Sequence, residues 1–231
     1  MDLNHALKEA KTLIIEKKTE QAAELLNNAL NILQTQPPDD LSQAQKLLLE
    51  GEIQESLGDT KILKQQDQEA LSHLLMALTQ LQTLESITNI PPSENLFRVN
   101  RKLSGAFDRL GQQFESEKYL RNAGEIKAAI LKQELYTRFR ESGFKVKENV
   151  RAVETEATPV DIMAEKGGFL SKKRVAIWFA MDEAELDTIS FLTKGYSKYA
   201  KSRYILMLMG QTTIPSLLGA RIVTSIDEID F

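Results

Sequence analysis

The sequence predicts an α+β protein of two domains, an all-α array of helical hairpins over residues 1–130 and a mixed α/β domain over residues 131–231. Two observations predict this division. Apolar residues recur at three- and four-residue spacing through the first part, which is typical of amphipathic helices. In the last part, short apolar or alternating runs are separated by turn residues, which is typical of strands.

Composition narrows the classes of protein that the chain can belong to. The chain has 231 residues and is 42% hydrophobic and 27% charged, as expected for one or two globular domains. It has no cysteine, which excludes disulfides and thiolate chemistry and is compatible with a reducing cytosol. Its two histidines, His5 and His73, are far apart, so a histidine-based metal site is not favoured.

Hydropathy and charge give further expectations. No apolar run reaches the ~18 residues that a membrane span needs, and the N-terminus lacks the pattern of a secretory signal. We therefore expect a cytoplasmic protein without a membrane partner. Residues 1–130 carry 14 Lys and Arg against 19 Asp and Glu, whereas residues 131–231 carry 15 against 14. The acidic first part is disfavoured as a phosphate-binding surface.

Three pairs of helices are predicted in the first part. The first pair is divided at Lys17-Lys18-Thr19, with Thr19 as an N-cap. The second begins at Leu41-Ser42 and turns after Leu57-Gly58, and the third turns at Leu110-Gly111. Proline pairs after the first and second hairpins separate the units, so the pattern is that of a repeat array. A plain helical bundle with the same apolar stripes is the alternative.

The third hairpin, LSGAFDRLGQQFESEKYLRNAGEI, resembles a tetratricopeptide repeat. The matching residues are Gly105, Phe107, Leu110, Gly111, Tyr119 and Ala123. The first two hairpins match in fewer positions, and the resemblance covers roughly residues 2–127. It implies a concave face that binds a partner protein or peptide. It also implies a cationic clamp for a peptide carboxylate, for which the candidate residues are Lys102, Arg109, Arg121 and Asn122.

The second part begins with a helix that ends at Ser142-Gly143 and that we expect both domains to share in a fixed mutual orientation. The following elements are predicted in order: a strand over 144–150 that continues through Ala152 and Val153, strands at Thr158–Met163 and Arg174–Met181, a helix capped by Asp182 that runs towards Tyr199, a strand at Tyr204–Met209, a short turn or helix at Ile214–Leu218, and a strand at Ala220–Thr224.

This order of elements resembles the restriction-endonuclease-like nucleases, particularly Holliday-junction resolvases and Mrr-type restriction enzymes, over Gln133 to Phe231. The resemblance places Asp161 where the family has a metal-binding Asp, and Glu134 where some members have an extra acid. The family's third strand carries Glu-x-Lys, with both groups directed at the metal. Here the corresponding residues are Trp178 and Ala180, or Ile177 and Phe179, which cannot bind a metal.

Two explanations of this departure remain open. In the first, the site is degenerate, and the domain binds or scaffolds without a cofactor or metal. In the second, the missing groups have moved to the next helix, with Glu183 or Glu185 as the ligand and Lys194 or Lys198 as the cation. The second explanation implies a Mg²⁺-dependent nuclease that uses Asp161.

Basic residues with interleaved aromatics favour contact with DNA or RNA. Lys194, Lys198, Lys201 and Arg203 recur at near-helical spacing, with Tyr196, Tyr199 and Tyr204 between them. This combination is suited to phosphate contact and base stacking. Two further basic clusters are Lys172, Lys173 and Arg174, and Arg138, Arg140, Lys145, Lys147 and Arg151. An ordinary solvated face is the alternative.

The sequence therefore predicts a protein-interaction adaptor. Its helical half binds a protein, and its nuclease-like half, without catalysis, contacts nucleic acid or another protein. A metal-dependent deoxyribonuclease with a rearranged site and a pure protein scaffold are the alternatives. Homodimer formation is left open.

Overall fold

The structure, a computed structural model, describes residues 2–35, 37–38, 41–89, 91, 93–151, 159–167, 172–209 and 216–231. The chain forms two compact units, Met1–Ile126 and Lys127–Phe231. A helical unit followed by a mixed-sheet unit agrees with the α+β class that the sequence predicts. Among the described residues, no helix has both the length and the apolar character needed to cross a membrane.

In the part of the chain that the structure describes, six helices precede the sheet. They are α1 (Leu3–Ile15), α2 (Thr19–Thr35), α3 (Gln43–Leu63), α4 (Asp67–Thr88), α5 (Glu94–Arg109) and α6 (Gln113–Glu141). Asp2 caps α1, and Ser42 and Ser93 cap α3 and α5, each by accepting a backbone N–H in the first turn. Thr19 is the first helical residue of α2 and not its cap. The boundary between the units falls within α6.

The three hairpins turn in the same way. Lys17, Gln65 and Gly111 have left-handed φ angles of 60°, 58° and 72°. Each donates its N–H to the carbonyl three residues earlier, and the next residue donates to the carbonyl five residues before it, at 2.8–3.0 Å. This is the hydrogen-bond pattern of a Schellman motif. The turns recur at offsets of 48 and then 46 residues, so the helical unit has an internal structural repeat.

Pairs of small residues, twelve positions apart, recur at the same offsets. Ala10 and Ala22 are fully buried in the first hairpin. In the third hairpin, the hydroxyls of Ser104 and Ser116 lie 3.2 Å apart. Small side chains at these positions allow the two helices of a hairpin to approach closely.

In the second hairpin, Gly58 is the small residue of the first helix, equivalent to Ala10 and Ser104. The prediction that the chain turns after Leu57-Gly58 is therefore wrong. Gly58 lies inside α3, where a Cβ would be 2.9 Å from Cγ of the buried Leu74 and 3.6 Å from the carbonyl of Ala70. Gly51, two turns earlier, meets Leu81 in the same way, at 3.0 Å. The glycines therefore let leucines of α4 pack against the backbone of α3.

The second unit contains one mixed sheet. Its strands are β1 (Lys145–Val150), β2 (Val160–Lys166), β3 (Lys173–Ala180), β4 (Ser202–Met207), β5 (Ser216–Leu217) and β6 (Ala220–Val223), with α7 (Glu183–Gly195) between β3 and β4. The strand order is β1-β2-β3-β4-β6-β5. The β1–β2–β3 pairs are antiparallel, and β3–β4 and β4–β6 are parallel.

Both faces of the sheet are covered. On one face, Leu135 and Phe139 of α6 pack with residues such as Ile177 of β3. On the other, Trp178 packs against Tyr196, with ring centres 5.4 Å apart, and Ala180 packs with Leu186 of α7. Burial on both faces explains why β3 is almost wholly apolar.

Some predicted boundaries differ from those observed. The helix predicted to run towards Tyr199 ends at Gly195 and is followed by turns, and the C-terminal DEIDF includes a 3₁₀ turn, Ile226–Glu228. The predicted extension of the first strand through Ala152 and Val153, the residue Thr158, and residues 214–215 of the predicted turn lie outside the described residues. In the rest of that predicted turn, Ser216–Leu217 forms β5 and Leu218 lies in the turn that leads to β6.

Candidate functional site

An inner groove lies between α1, α3 and α5 of the helical unit. It contains a cavity of about 410 Å³ that all three helices line, and a second of about 440 Å³ between α3 and α5. The two cavities share Asp59, Arg98 and Lys102, so they adjoin each other. Each volume falls within the roughly 300–1,000 Å³ of typical ligand sites.

Glu55 is the buried centre of this groove, with a side chain that is 4% exposed. Arg98 donates to its carboxylate from Nε at 3.1 Å and from Nη2 at 3.0 Å, and Lys102 donates from Nζ at 2.8 Å. Burial alone would raise the pKa of Glu55, but the Arg98 hydrogen bonds and the Lys102 charge hold this pKa below its usual value. Glu55 is therefore a fixed anion that orients two cations of α5.

The same lysine also bonds to a second carboxylate. Lys102 Nζ lies 2.7 Å from Asp59 Oδ2. Burial raises the pKa of Asp59, the charge of Lys102 opposes that shift, and the nearby Glu55 carboxylate adds to it. Lys102 thus neutralises two partly desolvated acids, which limits its freedom to bind a partner.

The far side of the groove is also polar. Lys11 of α1 donates to Glu52 of α3 at 2.7 Å, and Asn95 of α5 reaches the same carboxylate at 3.4 Å. Arg98 Nη2 donates to Asn95 Oδ1 at 2.7 Å. These bonds link α1, α3 and α5 across the groove floor. Ile15, which is 82% exposed, supplies apolar surface beside them.

Of the four predicted clamp residues, the groove contains two. Lys102 and Arg109 line the cavity between α3 and α5, and Arg109 is paired with Asp67 at 2.7 Å. Arg121 and Asn122 lie on α6 and are not among the lining residues of either cavity.

Sequence analysis missed two cations of the groove, Arg98 and Arg101. Their signal was present in the spacing, since Arg98, Arg101, Lys102 and Arg109 recur at helical intervals along one face of α5. Gly105, between them on that face, also lines the cavity. Arg101 lies over the ring of Phe97, 5.8 Å from its centre.

Asp161 has a structural partner in the sheet unit. Its Oδ2 accepts the N–H of Phe179 at 3.0 Å. This hydrogen bond lies just beyond the last residue pair of the β2–β3 ladder, Ile162 and Ile177. Burial raises the pKa of Asp161, while the Phe179 hydrogen bond and the charge of Lys132 oppose the rise. Lys132, which the sequence did not single out, also lies over the Phe179 ring at 5.8 Å. The carboxylate thus satisfies a backbone donor of β3.

The other predicted catalytic acids have different neighbours. Glu134 accepts from Arg138 at 2.6 Å, and Arg138 also pairs with Asp227. Glu183 is exposed in the first turn of α7. Glu185 accepts the N–H of Met181 at 2.8 Å. Within the described ranges, no group of three or more His, Cys, Asp or Glu residues could hold a metal ion.

The two groups that a rearranged site would draw from α7 lie at opposite ends of that helix. Glu183 begins the helix, and Lys194 is in its last turn. Eleven residues separate them, which is about 16 Å along a helix. They therefore cannot act on one metal-bound water in this arrangement.

The residues predicted to bind nucleic acid come together at one edge of the sheet. Lys172 and Lys173 are at the start of β3, and Lys201 directly precedes β4, whose first residue, Ser202, pairs with Val175 of β3. Lys194 and Lys198 lie in the segment that returns from α7 to this edge.

Arg203 and the predicted stacking tyrosines are placed differently. Arg203 is half-buried; it donates to the carbonyl of Thr193 at 2.9 Å, and burial lowers its pKa. Tyr196 and Tyr204 are buried in the core, so the expectation that they stack on bases is wrong. Tyr199 is half-buried beside Tyr196.

No family model matches the chain, and no curated protein matches it. Among solved structures, the chain is similar to the crystal structure of the TPR domain of Arabidopsis FLU, with 16% identity and a TM-score of 0.42. The match covers 52% of this chain and 90% of that one.

Proposed function

We propose that the protein is an adaptor whose helical unit binds a peptide segment of a partner protein in the inner groove. The observation that carries this proposal is the groove itself, two adjoining cavities lined by α1, α3 and α5, the first of which contains the buried Glu55. The three equivalent hairpin turns support a tetratricopeptide-like interpretation of the unit. Stacked hairpins of this kind leave one concave face for a partner.

The chemistry of the α3–α5 half of the groove favours an acidic peptide. Its lining includes four cations, Arg98, Arg101, Lys102 and Arg109, against the single carboxylate of Asp59. Glu55 and Asp59 neutralise part of this charge through Lys102. Among the described residues, the partner of Arg101 is the ring of Phe97, so no carboxylate neutralises its charge. Ile62 and Phe97 supply apolar surface beside the cations. A segment that combines Asp or Glu with an aliphatic side chain complements both features.

An array of synthetic peptides with acidic and aliphatic residues in varied spacing tests this proposal. We expect the full chain to bind a subset of them, and Arg101→Gln to weaken that binding by about tenfold, as loss of one charge-assisted contact implies. Arg121→Gln removes the same charge outside the groove and should leave binding unchanged. Equal loss in both variants, or no binding to any acidic peptide, would contradict the groove as the site.

We propose that the second unit has a restriction-endonuclease-like fold without catalytic activity, and that it contacts nucleic acid. The order of α6, β1, β2, β3, α7 and β4 supports the fold. The packing of Ile177, Trp178 and Ala180 in the core supports the loss of catalysis, since these residues have no metal-binding or proton-transfer group.

Incubation with branched, single-stranded and duplex DNA in Mg²⁺ or Mn²⁺ separates this proposal from the nuclease alternative. We expect no cleavage. Cleavage that is abolished in Asp161→Ala and in Asp161→Asn would establish a metal-dependent deoxyribonuclease and overturn the inactive assignment. A pure protein scaffold predicts neither cleavage nor salt-sensitive DNA binding.

A further inference from the structure

The register of the sheet gathers cations at one edge. Antiparallel pairing sets the end of β2 beside the starts of β1 and β3, and parallel pairing sets the starts of β4 and β6 at the same edge. We call this the lysine edge. Its exposed members are Lys145, Lys166, Lys172, Lys173, Lys194, Lys198, Lys201 and Arg221.

Acidic residues gather at the opposite edge. Asp161 lies at the start of β2, Asp182 and Glu183 follow β3, and Asp227 and Glu228 follow β6. Two cations compensate part of this charge, since Arg138 pairs with Asp227 and the charge of Lys132 acts on Asp161. Since residues 131–231 carry 15 cations against 14 carboxylates, their total charge does not explain this difference. The topology sorts nearly balanced charges to two edges. The position that corresponds to a nuclease site is thus on the acidic edge.

Few carboxylates compensate the lysine edge. Glu165, near the end of β2, pairs with Arg174 at 2.8 Å and with Lys147 at 3.7 Å. Glu141 ends α6. Lys166 donates to the carbonyl of Ser142 at 2.7 Å. Among the described residues, neither Lys145 nor Lys172 has a hydrogen-bond or ion-pair partner, so their charges remain available for an anion.

A cavity at this edge is large enough for phosphate groups. Its volume is about 310 Å³, and three lysines line it, Lys145, Lys166 and Lys172, together with Gly143, Gly167 and one carboxylate, Glu165, which pairs with Arg174. The glycines add no side chain, so an anion can approach the backbone as well as the lysines. Lysine presents a compact charge without fixed geometry, which is suited to phosphate and not to base edges.

The spacing of the cations is that of adjacent strands. Lys145, Lys166, Lys173 and Lys201 each lie within two residues of a strand end at this edge, one for each of four neighbouring strands. Arg221 is beside Tyr204 and therefore lies further inside the sheet. Neighbouring strands are about 4.8 Å apart, so the row of four is about 14 Å long. A nucleic-acid strand has one phosphate per roughly 3.4 Å of duplex axis, so the row spans about four phosphates.

We propose that the lysine edge binds the phosphodiester backbone of a nucleic acid, without base specificity, on the side of the sheet opposite Asp161. This inference rests on the proposed nucleic-acid contact and gives it a location and a chemistry. Burial of Tyr196 and Tyr204 leaves the row without those aromatic groups for base stacking, which favours contact with phosphates alone.

Fluorescence anisotropy with labelled single-stranded DNA, single-stranded RNA and duplex DNA tests the proposal on the full chain over a salt titration. The test variant is Lys145→Gln/Lys172→Gln/Lys173→Gln. We expect its affinity at low salt to fall at least about tenfold, and the slope of log K against log salt to lose about 2–3, close to one per phosphate contact. The corresponding triple Lys→Arg variant keeps the charges and should bind as the wild type does.

Two controls locate the contact. Lys8→Gln/Lys17→Gln/Arg121→Gln removes the same charge from the helical unit and should bind nearly normally. Lys132→Gln removes the cation nearest Asp161 and should also bind normally. Emission from Trp178, the single tryptophan of the chain, confirms that each variant retains the folded sheet.

The outcomes are distinguishable. Binding that survives the lysine-edge substitutions, or that only Lys132→Gln weakens, overturns this location and leaves the proposed nucleic-acid contact in place. Absence of salt-dependent binding to all three probes overturns both. Lysine-dependent binding to anionic phosphatidylserine vesicles, without binding to any nucleic acid, identifies a membrane surface instead and overturns the proposal.

Discussion

Charges are arranged in opposite ways in the two units. In the helical unit, Glu55 and Asp59 are partly desolvated, and Arg98 and Lys102 bond to them at 2.7–3.1 Å. In the sheet unit, cations are concentrated at one edge and carboxylates at the other. Pairing across helices fixes the shape of a groove, whereas segregation across a sheet leaves exposed charges that an external partner can neutralise. The first arrangement shapes the groove that we propose binds a peptide, and the second leaves exposed cations for a polyanion.

The largest expected effect tests whether the groove charges hold the helical unit together. Glu55→Ala leaves Arg98 and Lys102 without their shared acceptor, and we expect it to lower the free energy of unfolding by about 2–4 kcal/mol. Glu115→Ala breaks the exposed pair with Lys118 and should cost less than about 0.5 kcal/mol. Urea unfolding followed by far-ultraviolet circular dichroism measures both. Equal effects would show that the buried pairs of Glu55 contribute no more stability than an exposed pair of the same unit.

The pH dependence of the same pair sharpens the comparison. Because the folded-state pKa of Glu55 lies below its ordinary value of 4.5, the stability that its charge contributes is present above pH 4.5. This contribution is lost as the pH falls through the folded-state pKa. The stability difference between wild type and Glu55→Gln should therefore be constant from pH 7 to 5 and decrease at lower pH. A difference that grows on acidification would contradict the assigned pairing.

Asp161 tests whether an acid at the opposite edge of the sheet is structural. Asp161→Ala leaves the N–H of Phe179 unpaired and should cost about 1–3 kcal/mol. Asp161→Asn keeps an acceptor, so we expect little loss at pH 7. Burial raises the pKa of Asp161, so the wild type loses stability relative to Asn as the pH rises from below 3.8 through the folded-state pKa. Trp178 emission during urea unfolding measures the free energy of unfolding of both variants.

A metal site at Asp161 would give a different pattern. Millimolar Mg²⁺ would then raise the stability of the wild type and not that of Asp161→Asn, because a ligand that binds only the folded state stabilises it. We expect equal stability with and without Mg²⁺ in both proteins.

Gly58 tests whether close helix packing supports the groove. In Gly58→Ala the new Cβ meets Leu74, and we expect a net loss of about 1–2 kcal/mol after the gain in helix propensity is included. At Gly105 a Cβ would lie 3.5 Å from Arg109 Nη1, an ordinary contact, so Gly105→Ala should stabilise by up to about 1 kcal/mol. Chemical denaturation compares the two. Stabilisation in both would show that Leu74 yields to the added methyl.

The smallest effect concerns repulsion along the lysine edge. The triple Gln variant of Lys145, Lys172 and Lys173 should stabilise the sheet unit by a few tenths of a kcal/mol at low ionic strength. The gain should disappear near 1 M salt, where the Debye length is about 3 Å. Trp178 emission follows the transition. A gain that persists at high salt would mean that repulsion is not its cause.

Much of the fold could be predicted from local patterns. The apolar stripe through Ala22, Leu26 and Leu33 marks a helix, and the continuous run at Ile177 and Trp178 marks a strand that is buried on both faces. The role of Gly58 could not be predicted. A glycine that allows a second helix to pack closely and a glycine that ends a helix can stand in the same local sequence. Only the position of Leu74 distinguishes them.

Some residues of the candidate sites could also be predicted from the sequence, and others could not. Arg98 and Arg101 could have been found from their spacing with Lys102, since residues three and four apart share a helix face. Glu55 could not, because its partners lie 43 and 47 positions away in sequence. Arg203 matched the basic pattern, but its guanidinium turns towards the carbonyl of Thr193.

The sequence by itself determined the element types, the succession of a helical part and a sheet part, and the absence of metal-binding groups at Ile177, Trp178, Phe179 and Ala180. Periodicity and residue chemistry are local properties, so one chain suffices to establish them. The tertiary structure alone decided which charges are paired and which are not. Strand order and register bring Lys145, Lys173 and Lys201 to one edge and Asp161 to the other, because pairing between distant segments sets which ends of the strands meet.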